Sequence, residues 1–264
     1  MEAALRELSG LIASGDAMLF TGAGFSAAAR DVDGALLPDS AQMIDELWRL
    51  CFDDEPRDGS SLPDLYDVAL AHAPDRLRSY VDRRLRIGDH PLPAHFAAWF
   101  GAPWKRIYTL NVDDLEVAVQ RQFPLPRRLR SVSAITPERA PAEPAAVDVV
   151  HLNGMAGGDA GELTFSTMQY ASRLCRRDRM YERLVDDLER APFVFAGTTL
   201  DEVILWQHLE LHRRRAPTDH ARRPPSFLIT TALSRARQVL LERHQIHWVR
   251  ATIAEVATRV LTRS

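Results

Sequence analysis

The chain is poor in cysteine: it has only Cys51 and Cys175 in 264 residues. Two thiols cannot build a four-cysteine zinc site, and their wide separation suggests no disulfide framework. It also lacks any apolar run near the ~20 residues that cross a bilayer. It lacks an excess of either charge, with a formal net charge of −3. Global charge therefore argues for neither nucleic acid nor a membrane surface. The stretch Met1–Leu8 reads as an amphipathic helix carrying acids early rather than as a signal peptide. These absences lead to the expectation of a cytoplasmic protein with no membrane association and no direct nucleic-acid contact.

What is present points to an α/β protein. Hydrophobic residues make up 46% of the chain, enough for a sizeable core. Strand-like runs occur at Ala17–Thr21, Arg106–Leu110, Val147–Leu152, Leu163–Ser166, Phe193–Gly197, Ser226–Thr230 and Ile246–Val249. Several are continuous rather than alternating, as in a parallel sheet covered on both faces. Helical stretches are expected at Ser40–Asp53, Leu62–Ala71, Pro74–Arg86, Pro93–Trp99, Asp113–Gln122, Met168–Arg190, Asp201–Arg215 and Ser234–His244, with Asp201 and Ser234 as N-caps. The alternation predicts a Rossmann-like, doubly wound, mostly parallel sheet. We read residues 1–264 as a single nucleotide-binding domain with a helical insertion at about 38–98, because some eighty residues separate the first two strands. Phe123–Pro144, with five prolines, and the Arg- and Pro-rich Arg213–Pro225 read as exposed loops.

The most informative run is Met18-Leu-Phe-Thr-Gly-Ala-Gly-Phe-Ser26. An apolar strand enters Gly22-Ala23-Gly24, and a small-residue helix start is expected at Ser26-Ala27-Ala28. The spacing fits G-x-G-x-x-G/A with Ala27 last, a pattern in which backbone approaches a diphosphate at a helix N-terminus. A tight strand-to-helix turn would carry the same residues. In a doubly wound sheet, ligands bind outside the carboxyl ends of the strands. Five ends here carry polar groups: Thr21 to Ser26, Thr109-Leu-Asn-Val-Asp-Asp114, His151-Leu-Asn-Gly154, Gly197-Thr-Thr-Leu-Asp201, and Thr230-Thr231.

In this order and spacing these residues resemble the sirtuin family over most of the chain. Gly22-Ala23-Gly24-Phe25-Ser26 resembles the family's G-A-G-x-S phosphate loop. Thr109-Leu-Asn111-Val-Asp113 is similar to its T-x-N-x-D motif. His151-Leu-Asn-Gly154 resembles the segment with its catalytic histidine, and Thr164–Tyr170 the stretch after it. Gly197-Thr198-Thr199-Leu200 is similar to the nucleotide-contacting G-T-S-L loop. Deacylase members carry a four-cysteine zinc module, absent here, and a loop reading G-I-P-D-F-R. Here Leu37-Pro38-Asp39 runs on as Ser40-Ala41. The departures resemble the zinc-free NAD-hydrolase domains of bacterial anti-phage defence systems, whose Gly-x-(Ser/Thr)-x-x-Asp pattern Gly197–Asp201 approximates.

The resemblance implies NAD as substrate, cleaved to nicotinamide and ADP-ribose, with no cofactor and no metal. It implies nucleotide contacts from Thr21, Gly22, Ala23, Gly24, Phe25, Ser26, Asp113, Gly197, Thr198 and Thr199. Asn111 would orient water or hold the nicotinamide ribose, and His151 would act as general base near its ordinary pKa of ~6.5. Plainer roles exist for each: a turn for Asn111, a sheet-end hydrogen bond for His151, a helix cap for Asp113 or Ser26. Asp39 and Asp45 lie where an acid reading the ribose could be sought, but neither follows an evident second strand. His208 and His212 are four apart, with no third metal ligand apparent. A toxic NAD hydrolase must be restrained, which implies a regulatory or sensor subunit or a homo- or hetero-oligomeric switch. The competing readings are a non-catalytic sensor of NAD or ADP-ribose and a zinc-free deacylase or ADP-ribosyltransferase.

Overall fold

In the computed structural model, residues 2–136, 143, 145–175, 178–200, 205–207, 209–210 and 224–263 are described. Structural statements below refer to these residues. Seven strands form one sheet: β1 (Met18–Thr21), β2 (Arg106–Thr109), β3 (Leu129–Ser133), β4 (Val147–His151), β5 (Phe193–Ala196), β6 (Ser226–Ile229) and β7 (Ile246–Val249). Their order is β3-β4-β2-β1-β5-β6-β7. Every pairing is parallel. The chain builds outward from β1 through β2 in one direction and through β5 in the other. The reversal falls between β1 and β5, which is where such sheets open a crevice at their carboxyl ends.

The register aligns the strand ends. Thr21 pairs with Thr109 and with Ala196, Thr109 with His151, and His151 with Ser133. One row of residues therefore closes four adjacent strands and continues onto β5, so the loops that follow leave from one straight rim. Side chains alternate across the sheet. Leu19, Ile107 and Val149 point into one core, with α1 (Glu2–Ala13), α6 (His95–Gly101), α7 (Leu115–Gln122) and α11 (Ile253–Arg259) on that face. Met18, Phe20, Tyr108, Val150, Phe193 and Phe195 point into the other, covered by α9 (Arg179–Arg190) and α10 (Arg235–Glu242). The doubly wound expectation holds.

Three helices between β1 and β2 make a third core. These are α3 (Ser40–Phe52), α4 (Leu62–His72) and α5 (Pro74–Arg84). Leu47, Trp48, Tyr66, Ala69 and Leu77 meet there, together with Val112, Ala160 and Leu163 from the loops after β2 and β4. Sharp caps define the helices. Asp39 accepts from the Gln42 N–H while the Gln42 side chain accepts from the Asp39 N–H, and Ser61 accepts from Asp64. Asp39, a candidate ribose reader, is thus occupied as a cap. Two ion pairs tie this layer down: half-buried Arg84 holds buried Asp31 and half-buried Glu46 together. The last helix of the 38–98 segment, α6, packs on the sheet and not with α3–α5.

Two expectations fail locally. Leu163–Ser166 is no strand: it follows a 3₁₀ turn at Ala160–Glu162, and Ser166 caps α8 (Thr167–Leu174) in a capping box with Gln169. The sheet takes its seventh strand instead from Leu129–Ser133, inside the stretch read as loop. The five prolines there flank this strand and none lies within it, and it sits at an edge, where half-polar strands belong. The single helix expected over Met168–Arg190 is two, since Asp178 caps a new one, accepting from the Met180 and Tyr181 N–H groups. Asp201 and most of Asp201–Arg215 lie outside the described residues, as do His208 and His212.

Candidate functional site

The first turn packs directly on the end of β5. The Gly24 N–H donates to the Gly197 carbonyl at 2.9 Å, and the Gly22 N–H to Ala196 at 3.2 Å. A β-carbon on Gly22 would lie 2.8 Å from the Gly197 oxygen. Gly197 sits at φ +70°, and a β-carbon there would come within 2.1 Å of the Phe25 nitrogen. These glycines are therefore first a solution to two turns crossing at contact distance. The helix expected to start at Ser26 instead ends there: α2 is the single turn Ala23–Ser26, with Gly22 as its N-cap and no side-chain cap. One turn carries little macrodipole.

That correction frees Ser26 from capping, and its side chain turns inward. Ser26 Oγ donates to Asp113 Oδ2 at 2.6 Å and accepts from Asn111 Nδ2 at 2.8 Å. Asn111 is set by its own N–H donating to Thr109 Oγ1 at 3.0 Å. Asp113 also accepts from the Leu115 N–H at 3.2 Å, so it tethers the start of α7 as well as Ser26. Burial pushes the Asp113 carboxyl up to about 6, against the pull of its Ser26 hydrogen bond, and the Glu116 charge pushes the same way as burial.

His151 closes β4 and is 1% exposed. Its Nδ1 lies 2.9 Å from the Asn111 carbonyl oxygen and its Nε2 3.0 Å from Glu116 Oε1. Burial disfavours the imidazolium, but the Glu116 carboxylate, its hydrogen bond and the Asn111 carbonyl outweigh that and hold the ring's pKa above its ordinary value. Glu116, 2% exposed, is the converse. Burial pushes its carboxyl up, and the His151 charge with hydrogen bonds from His151 and Ser131 brings it below the usual range. Sequence reasoning missed Glu116, because an acid in the first turn of a helix ordinarily faces water. The available signal was its place three residues before Val119, on a helix whose Leu115, Ala118 and Val119 are all buried.

Two spaces adjoin this cluster. A cavity of about 10 Å³, room for one water at most, is lined by Thr21, Thr109, Asn111, Asp113, Glu116 and His151 and walled by Phe25 and Phe100. A cleft of about 700 Å³ lies beyond Phe25, at the β1/β5 crevice and on towards β6 and β7. It takes Ala23, Gly24, Phe25, Gly197, Thr198 and Thr199 from the expected set, with Thr230, Thr231 and Thr252 opposite. Its volume lies within the range of small-molecule sites. Thr21 and Ser26 are buried behind it. Phe25 stands between the two spaces, 2% exposed and packed edge-on against Trp99 and Phe100 at ring separations of 5.6 and 5.9 Å. No group of three or more His, Cys, Asp or Glu that could hold a metal is found among the described residues. No helix among them is long and apolar enough to cross a membrane. The chain matches no protein-family model and no curated protein.

Proposed function

We propose that the chain binds NAD across the β1/β5 crevice and hydrolyses it to nicotinamide and ADP-ribose. One observation carries the reading: Ser26, Asn111, Asp113, Glu116 and His151, from three separate chain segments, form one buried hydrogen-bonded cluster beside a 700 Å³ cleft at the sheet's switch point. Buried acids and a buried histidine with displaced pKa values next to a cleft are the physical mark of a reactive site. Cleavage of the nicotinamide–ribose bond builds positive charge at the anomeric carbon, which carboxylates nearby stabilise. Asn111, the partly buried member at the cluster's edge, would hold a ribose hydroxyl or water through its amide. His151 takes the proton.

The cluster is closed in this conformation. Its cavity holds no more than a water, and both nitrogens of His151 are engaged. Turnover needs Phe25 and the Asn111 segment to move, which fits an effector of a defence system restrained until a partner subunit or self-assembly opens it. The same closure favours a second reading, a sensor that binds NAD or ADP-ribose without turnover. Incubating the chain with NAD, alone and with proteins encoded beside it, separates the two. The hydrolase reading expects nicotinamide release that Asn111→Ala reduces at least about 100-fold. NAD binding with no release in any mixture would refute it in favour of the sensor.

A further inference from the structure

Glu116 has a donor on two sides of one oxygen. Ser131 Oγ donates to Oε1, and His151 Nε2 faces the same oxygen at 3.0 Å. On the far side of the ring, Nδ1 faces the Asn111 carbonyl at 2.9 Å, and a carbonyl only accepts. Nδ1 therefore carries a hydrogen, and a ring held above its ordinary pKa against a carboxyl held below its own places the second proton of the pair on Nε2. The polar groups around the ring are Thr21 of β1, Thr109 of β2, Asn111 and Asp113 from the segment after β2, and Glu116 of α7, with Ser131 of β3 behind Glu116. The small cavity around it has two acids and, among the described residues, no Lys or Arg. His151 is the cation of this cluster, and Glu116 its counter-ion.

We propose that Glu116 is the positioning residue of His151, fixing the ring through Nε2 and balancing its charge, so that Nδ1 is the working nitrogen and the Asn111 carbonyl is the cap that blocks it. The assignment of a working nitrogen rests on the hydrolase reading; the ion pair does not. In turnover the Asn111 carbonyl turns away, Nδ1 loses its hydrogen to solvent, and the ring keeps the one on Nε2. Water then gives a proton to Nδ1 as its oxygen bonds to the anomeric carbon. The carbon–nitrogen bond breaks, and its electron pair leaves with neutral nicotinamide. The imidazolium so formed lies against the Glu116 carboxylate and afterwards releases its proton to solvent. This has the logic of an acid that orients a histidine and stabilises its charged form. It also makes the peptide at Asn111 the element on which a switch must act.

Ring nitrogen signals of the full chain, labelled with ¹⁵N-histidine, test the pair without NAD. The expected wild-type pattern at pH 7 is a His151 ring with both nitrogens protonated. In Glu116→Gln, an isostere without charge, the ring is expected to be neutral at pH 7, its midpoint lower by about one pH unit or more. Glu116→Asp is expected to restore part of the shift. A neutral wild-type ring, or the same ring state in wild type and Glu116→Gln, overturns the proposal. If Glu116→Gln does not fold, Glu116→Asp serves alone: a carboxylate withdrawn by one methylene from Nε2 should lower the midpoint, and an unchanged one overturns the pair. In nicotinamide release, Glu116→Gln should lower kcat about 100-fold or more with KM unchanged. An unaltered kcat and pH profile would overturn the role of Nδ1. A wild-type chain that releases no nicotinamide refutes the hydrolase reading, while the ring signals still decide the ion pair.

Discussion

Replacing Asp113 by Asn should change how the protein's stability depends on pH, and the size of the change follows from the burial of one carboxyl. Asp113 titrates at about 6 in the fold against 3.8 for the free group, and burial is the main cause. A raised folded pKa means that the native state binds the proton more tightly than the unfolded chain. The contribution is full below the unfolded pKa and is lost as pH rises through the folded one. Each pH unit of displacement is worth about 1.4 kcal/mol, so ionised Asp113 costs about 3 kcal/mol at pH 8 relative to pH 3. Asn removes this charge and keeps the shape. It loses one acceptor, leaving either the Ser26 hydroxyl or the Leu115 N–H without its partner, a constant cost of about 1 kcal/mol. The Asn variant should therefore be slightly weaker than wild type at pH 4 and stronger at pH 8, with a crossing between. Urea unfolding of both proteins at half-unit steps from pH 4 to 8 gives the difference directly. A difference that stays flat across that range would refute the raised midpoint of Asp113.

Three further outcomes are expected. Gly197→Ala should unfold or lose more than about 3 kcal/mol by thermal denaturation, because the new methyl would meet the Phe25 backbone and the residue is held at φ +70°. Gly157→Ala, also at positive φ but with open space around it, should lose only about 1 kcal/mol in the same assay. Ser26→Ala should remove both the Asp113 and the Asn111 hydrogen bonds, raise the Asp113 midpoint further and lower nicotinamide release more through kcat than through KM, read by side-chain carboxyl NMR and steady-state kinetics.

Much of the fold could be read from residues because the central strands are continuous apolar runs. Met18-Leu-Phe, Phe193-Val-Phe and Phe227-Leu-Ile leave no polar face, and all are buried. The edge strand was not legible. Leu129-Arg-Ser-Val-Ser133 is half polar, and the prolines on either side of it suggested a loop. Leu163-Thr-Phe-Ser166 has the alternation of a strand, but its hydrophobic residues face α3–α5, not a sheet partner. At the site, the rule that ligands lie beyond strand carboxyl ends found Ser26, Asn111, Asp113 and His151. It could not find Glu116, which belongs to a helix and enters through the packing of α7 on the sheet. Nor could it tell that Ser26 faces Asp113, since that depends on α2 being a single turn.

The third core has a consequence for how this chain can be divided. Val112, next to Asn111, and Ala160 and Leu163, beyond His151, are buried among the side chains of α3, α4 and α5. Val112 also accepts, through its carbonyl, the Ala156 N–H at 2.7 Å, joining the two loops to each other. The helices inserted after β1 are thus the wall against which the loops of β2 and β4 are cast. Trimming the chain to a bare sheet would leave three apolar side chains in water and loosen both loops that carry Asn111, Asp113 and His151. A substitution on the packed faces of α3–α5 is therefore also a substitution in the support of the cluster.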